Sequence, residues 1–141
     1  MRPVSHTLIE SVGAPIEEVF ALLTNPGRIP QWLPGCDGVE CAAPLKRGVR
    51  FKARFGSRVT EFEVVDFNPP ATFGWVERGH RRGWKTLFRL DASGGATAVT
   101  VRDAWVPQSF VAWLRGRFFE RRNARRHMSR ILENLRNILA R

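Results

Sequence analysis

The rhythm of apolar and polar positions changes several times along this 141-residue chain, and each change marks an element. The run "VSHTLIESV" mixes β-branched and polar residues in near alternation, a strand pattern that "GAP" ends. Pro15 suits the first position of a helix, Glu17 and Glu18 suit its positive end, and Val19, Phe20, Leu22 and Leu23 give it an apolar side. That helix closes at "TNPG". The next piece, "RIPQWLPG", has room for a helical turn or two around Trp32, because Pro30 and Pro34 bracket it. Six strand patterns follow, over 38–42, 49–55, 58–67, 72–77, 84–90 and 96–105, separated by the turn-forming words "PLKRG", "FGS", "NPP", "RGHRRG" and "DASGG". Such short intervals predict an antiparallel meander. From Pro107 a helical period runs to the C-terminus, with a bend predicted near Gly116, where helix propensity is lowest.

The chain is of single-domain length and shows no repeat or linker, so residues 1–141 are expected to form one α+β domain. Its seven-stranded antiparallel sheet has one face to cover. The terminal helix is the element long enough to cover it.

Strand alternation assigns faces. Phe51, Ala53 and Phe55 are expected inward, as are Thr60, Phe62 and Val64, with Glu61 and Glu63 outward. Trp84, Thr86, Phe88 and Leu90 form another inward set, opposed by Lys85, Arg89 and Asp91 together with Leu87. In the last strand Val99, Val101, Asp103 and Trp105 go in, because the reverse choice would put Thr100 and Arg102 inside and the bulky apolar groups in water. Pairing Asp91 with Ala96 across "DASGGA" sets Asp103 opposite Trp84. A carboxylate beside an indole in a poorly hydrated pocket has its charged form disfavoured, the condition under which it serves as a general base or protonated donor. Asp103 is therefore the candidate acid/base group, weighed against a structural carboxylate that reaches water or pairs with an arginine. The strands of His6, Glu10 and Glu77 do not alternate cleanly and leave their facing open.

On the terminal helix, Phe110, Leu114, Phe118, Met128, Leu132, Leu135 and Leu139 fall on one side at about 100° per residue. Arg115, Arg122, Arg126 and Arg130 project on the opposite flank with Phe119, a candidate self-association surface for a homodimer, and His127 also falls outward. Arg117, Arg121 and Arg125 interrupt the apolar stripe. A buried guanidinium without a partner costs several kcal/mol, on the order of the penalty for any unpaired buried ion, so each must reach water, a carboxylate or an anionic ligand.

Composition sharpens this picture at three points. Ten Phe and five Trp without a single Tyr make any aromatic cavity poor in hydroxyls. The formal charge of +10 is local, since the last 27 residues carry nine arginines against Glu120 and Glu133. Nucleic-acid or anionic-membrane binding by those arginines ranks last among the readings, because no recognition motif accompanies them and the apolar stripe commits the helix to packing. Cys36 and Cys41 have neither CxxC spacing nor a histidine cluster near them, so no metal and no cofactor is expected. With no apolar run approaching the ~20 residues of a membrane span and no signal-peptide pattern, the expected location is the cytoplasm.

Five words carry a resemblance in the right order: "GAPIEEVFALLTNPGRIPQWLPG", "GVRFKARFG", "EVVDFNPPATFGW", "GGATAVTV" and "ILENLRNIL". Together they span almost the whole chain and resemble the START-like helix-grip superfamily, specifically its polyketide cyclase/dehydrase (SRPBCC) branch. The resemblance implies a helix-grip fold, a curved sheet wrapped around the terminal helix, with a cavity between them for a hydrophobic or aromatic small molecule. It also implies that the first strand lies antiparallel beside the last, which brings His6 near Asp103. The expected ligand is a polyketide, lipid or quinone-like molecule, anionic on account of the helix arginines. Its expected contacts are Phe62, Trp75, Trp84, Thr86, Phe88, Trp105, Arg117, Phe118, Arg121 and Arg125. Two functions remain open, a binding or carrier module and a metal-independent cyclase/dehydratase in which Asp103 moves a proton.

Overall fold

The computed structural model of the chain describes residues 4–79, 82–107, 109, 111, 114 and 121–140. In chain order the elements are β1 (Val4–Val12), α1 (Ile16–Thr24), a 3-10 turn (Pro26–Arg28), α2 (Ile29–Trp32), β2 (Gly38–Glu40), β3 (Arg50–Phe55), β4 (Arg58–Asn68), β5 (Thr72–Glu77), β6 (Lys85–Ser93), β7 (Ala96–Trp105) and α3 (Arg121–Ile138). Asn25 starts the 3-10 turn, its side-chain oxygen accepting from the Gly27 amide at 3.1 Å. The seven strands form one antiparallel sheet in the order β1-β7-β6-β5-β4-β3-β2. This is the helix-grip architecture, with α3 on the face that the alternation assigns to the core.

Two irregularities shape that face. Between β4 and β5 the register shifts at Val64/Asp66, so Phe67 pairs with Phe73 and turns to the same side as Phe62 and Val64. An extra residue of this kind bends the strand and strengthens its twist. Between β6 and β7 the turn is tighter than the strand pattern predicts. Ser93 pairs with Ala96 across Gly94 and Gly95, and Gly94 has a φ of 64°, which glycine adopts without steric cost. Asp103 accordingly lies opposite Thr86, not Trp84. The correction is a slip of two residues, which preserves every facing because side chains alternate with a period of two.

Core packing runs along this concave face. Trp32 is fully buried against Trp75 and Phe88, with ring centroids 5.9 and 5.5 Å apart. Phe51, Phe62 and Phe73 surround the other side of Trp75. From α3, Met128, Ile131, Leu132, Leu135 and Leu139 are buried, and Asn134 Nδ2 donates to the Trp32 carbonyl at 3.1 Å, fixing α3 against α2. On the convex face Arg50 bridges Glu61 and Glu63, each at 3.3 Å, as expected of an outward row.

The helical wheel needs correcting in part. Met128, Leu132, Leu135 and Leu139 pack as predicted, but Leu114 is 39% exposed. Arg125 is exposed with Arg122, Arg126 and Arg130, while His127, assigned to the outer flank, is half-buried. The reason is that the small Ala124 and the β-branched Ile131 widen the buried stripe on the His127 side, away from Arg125. The expected bend at Gly116, and with it Phe110, Arg115, Arg117, Phe118 and Phe119, lies outside the described residues, as does the side chain of Arg121.

The fit of α3 on the sheet is the main contribution of its C-terminal half to stability. Leu135→Ala is expected to cost about 2–5 kcal/mol through lost burial and an unfilled void. Urea unfolding, with the midpoint lowered at unchanged slope, checks it.

Candidate functional site

Beside the sealed core, the sheet and α3 part to leave a cavity of about 410 Å³. Leu33 and Pro34, just past α2, close one side, and Asn123, Ala124 and His127 form the helix wall. The sheet wall consists of Phe55 and Arg58 at the β3–β4 hairpin, Phe62, Trp75 and Glu77 behind them, and Trp84 and Thr86 from the β6 side. The helix wall explains the hollow. At Ala124 α3 offers only a methyl group, packed against Trp84 and Trp105, where a turn further on it offers Met128, so less side-chain volume fills the space beside it.

On the sheet wall, Glu77 and Thr86 are buried and hydrogen-bonded through threonine hydroxyls. Glu77 is 2% exposed and accepts from Thr60 Oγ1 at 3.0 Å. It shares the face of Phe73 and Trp75, which resolves the facing that the sequence left open. Asp103 is 1% exposed, and its Oδ1 accepts from Thr86 Oγ1 at 2.8 Å. Across β1, His6 is the register partner of Asp103, and its ring lies 6.0 Å from that of Trp105. His6, Asp103 and Thr86 thus form one transverse row over three strands. Glu10 also takes the concave face, opposite Val99, and reaches Arg136 of α3 at 3.8 Å. Trp84 and Trp105 stack beside the row with centroids 4.1 Å apart and planes within 5° of parallel.

Of the residues expected to meet a ligand, Phe62, Trp75, Trp84 and Thr86 line the cavity together. Phe88 and Trp105 are buried off it, Phe88 in the aromatic core and Trp105 behind Trp84. Asp103 stands one residue back, reaching the cavity through Thr86. Arg125 is corrected to the surface, whereas Arg117, Phe118 and the Arg121 side chain lie outside the described residues.

Sequence pattern does not single out Arg58, His127 or Glu77. A signal for Glu77 is present in "TFGWVE", whose alternate positions Phe73 and Trp75 share its face, but Val76 makes the strand apolar on both sides and hides the alternation. Arg58 lies over the Phe55 ring at 5.3 Å, a described cation at the cavity. Both cysteines are free thiols, and burial pushes the Cys36 thiol up, away from the thiolate that a nucleophile or metal ligand needs. Among the described residues no group of three or more His, Cys, Asp or Glu could hold a metal ion, and no helix is long and apolar enough to cross a membrane.

The Thr86–Asp103 bond yields a direct check. Asp103→Ala strands the buried threonine hydroxyl and is expected to lose about 1–3 kcal/mol, while Asp103→Asn keeps an acceptor and loses less. Thermal denaturation of the two variants side by side gives the order.

Residues 4–140 match the model of the family described as polyketide cyclase / dehydrase and lipid transport. No curated protein matches the sequence. Among solved structures the chain is similar to DynU16, a protein of the dynemicin biosynthetic locus, with a TM-score of 0.73 and 23% identity over 96% of this chain and 46% of that one. It thus spans less than half of DynU16. It is also similar to the Aha1 dimer from Colwellia psychrerythraea, with a TM-score of 0.65 and 19% identity over 99% and 96% of the two chains. A third likeness is to Ara h 8.0201, with a TM-score of 0.72 and 10% identity over 98% of each. At these identities the structures speak for the fold alone. The family model, matching from Val4 to Ala140, together with the helix-grip fold, shows that the chain belongs to the polyketide cyclase / dehydrase and lipid transport family of the START-like (SRPBCC) superfamily.

Proposed function

We propose that the chain binds a hydrophobic or aromatic small molecule, of the polyketide, lipid or quinone-like class, in the cavity between the sheet and α3. One observation carries this reading. A hollow of about 410 Å³ is walled by Phe62, Trp75 and Trp84 and holds a buried carboxylate, Glu77, with Thr86 and His127 beside it. Small-molecule sites combine such an apolar lining with a few placed polar groups, and this volume sits in the lower half of their usual range of roughly 300–1,000 Å³. The expected negative charge of the ligand finds one described partner at the cavity in Arg58. Two free thiols support a reducing compartment, the cytoplasm, as its place of work.

Glu77 also favours a second reading, an acid/base enzyme of the cyclase/dehydratase type. Such chemistry needs a proton-transfer group in contact with the substrate. Glu77 lines the cavity, whereas Asp103 acts on its contents through Thr86. Under that reading Glu77 moves the proton and Asp103 holds Thr86 in place.

Titration with 8-anilinonaphthalene-1-sulfonate, followed by its own fluorescence, tests cavity binding. Saturation at one site per chain is expected. Ala124→Leu, which fills the hollow from the helix wall, should weaken that binding by about tenfold or more, the loss of roughly one apolar contact surface. Absence of saturable binding, or equal affinity in a well-folded Ala124→Leu chain, would sink the proposal.

A further inference from the structure

The open sheet has two edges, and the chain builds them differently. At one end β2 is three residues long and offers little to a further strand. At the other, β1 pairs with β7 through nine consecutive residues without a register shift. β7 is its one neighbour in the sheet, so alternate residues of β1 turn their N–H and C=O groups outward. Edge strands that stay single are protected by lysine, proline or a bulge. The strand "VSHTLIESV" has none of these, and on a chain of net charge +10 it carries neither lysine nor arginine. Ser5, Thr7, Ile9, Glu10 and Ser11 are exposed along it, Ile9 by 65%.

We infer that β1 is the interface for a second copy of this chain, the two β1 strands pairing antiparallel about a two-fold axis at Leu8 and joining two sheets into one. Side-chain facing and charge select that register. Keeping the concave faces of both copies on one side makes residues of like facing oppose each other, so the axis passes through a residue of the strand. Glu10 is the one acidic side chain of β1 and His6 the one basic side chain. With the axis at Leu8, each Glu10 faces His6 of the other copy. Each imidazole then stands between that carboxyl group and Asp103, its register partner on β7. Moving the axis to Thr7 or Ile9 sets Glu10 against Val4 or Leu8 instead, and at Glu10 two like charges meet. The Leu8 register also engages all nine residues and, on the convex side, covers Ile9 with Thr7 of the other copy, a β-branched pair suited to a sheet. Among the described residues none of β1 lines the cavity, so both cavities of the dimer stay clear of the seam.

Sedimentation velocity of the full chain over the micromolar range provides the test, with a dimer as the expected species. Ile9→Lys sets a lysine of each copy on the seam and should raise the dissociation constant about tenfold or more. Circular dichroism checks that this variant, altered at an exposed position, keeps its fold. Register is read by mild oxidation of cysteine variants. Positions 5 and 11 oppose each other across the Leu8 axis, so Ser5→Cys and Ser11→Cys chains, once mixed, should form a disulfide-linked heterodimer. Either chain alone should link no more than the wild-type chain does through its own two thiols. A monomer throughout the range, a dimer that Ile9→Lys leaves intact, or mixed chains that do not cross-link would each overturn the inference. Should the Ile9→Lys chain fail to fold, the cross-link decides alone. Cavity binding is read separately by the dye titration and stands or falls without regard to these results.

Discussion

The fold depends on how far α3 can approach the concave sheet, and that distance is set by the size of the side chains between them. Toward its C-terminal end α3 presents Met128, Ile131, Leu132, Leu135 and Leu139, all buried, and the two surfaces interlock. Each such side chain contributes about 1.5–3 kcal/mol on burial. At Ala124 the same stripe is reduced to a methyl group. That methyl group still packs against Trp84 and Trp105 but fills less of the space beside it, and the Asn134 bond to the Trp32 carbonyl ties the C-terminal half of α3 to α2. One end of the interface thus fixes the separation that the other end leaves open.

The open end can then carry groups that a sealed core would exclude. Burying an ionised carboxylate costs far more than burying a hydroxyl unless hydrogen bonds replace its water. Glu77 and Asp103 each have a threonine hydroxyl on the neighbouring strand for that purpose, Thr60 and Thr86. The antiparallel register sets Thr86 directly opposite Asp103, while Thr60 is the diagonal neighbour of Glu77, two residues along β4 from its register partner Phe62, and all four share one face. A register slip of one residue would send all four to the convex side. The polar site is therefore a consequence of strand pairing as much as of residue choice.

Much of this is legible in the sequence, for reasons that also explain the errors. Alternation in β3, β4, β6 and β7 assigns the concave face correctly, and the assignment survives a wrong pairing of Asp103 with Trp84 because a two-residue slip leaves faces unchanged. Alternation leaves Glu77 undecided, since Val76 and Gly74 on the other face of β5 are buried as well and erase the contrast. On α3 the wheel follows the large residues. Ala124 is too small to register as apolar pattern, yet it is the residue that sets the helix wall, so the wheel turns His127 outward and Arg125 inward. Contacts between distant parts of the chain supply what no local pattern can. Arg58 reaches the cavity only because the β3–β4 hairpin folds Phe55 beneath it.

Charge in this chain is segregated, and the two signs do different work. Arg122, Arg125, Arg126 and Arg130 lie exposed on α3, where salt screens them beyond roughly 8–10 Å, while the Arg136–Glu10 pair is too exposed to add much stability. A surface of this kind raises the rate at which anions arrive. The inner wall holds carboxylates and committed hydroxyls. Among the described residues the exposed arginines of α3 and the buried carboxylates Glu77 and Asp103 therefore answer to different constraints, solvation for the former and hydrogen bonding for the latter.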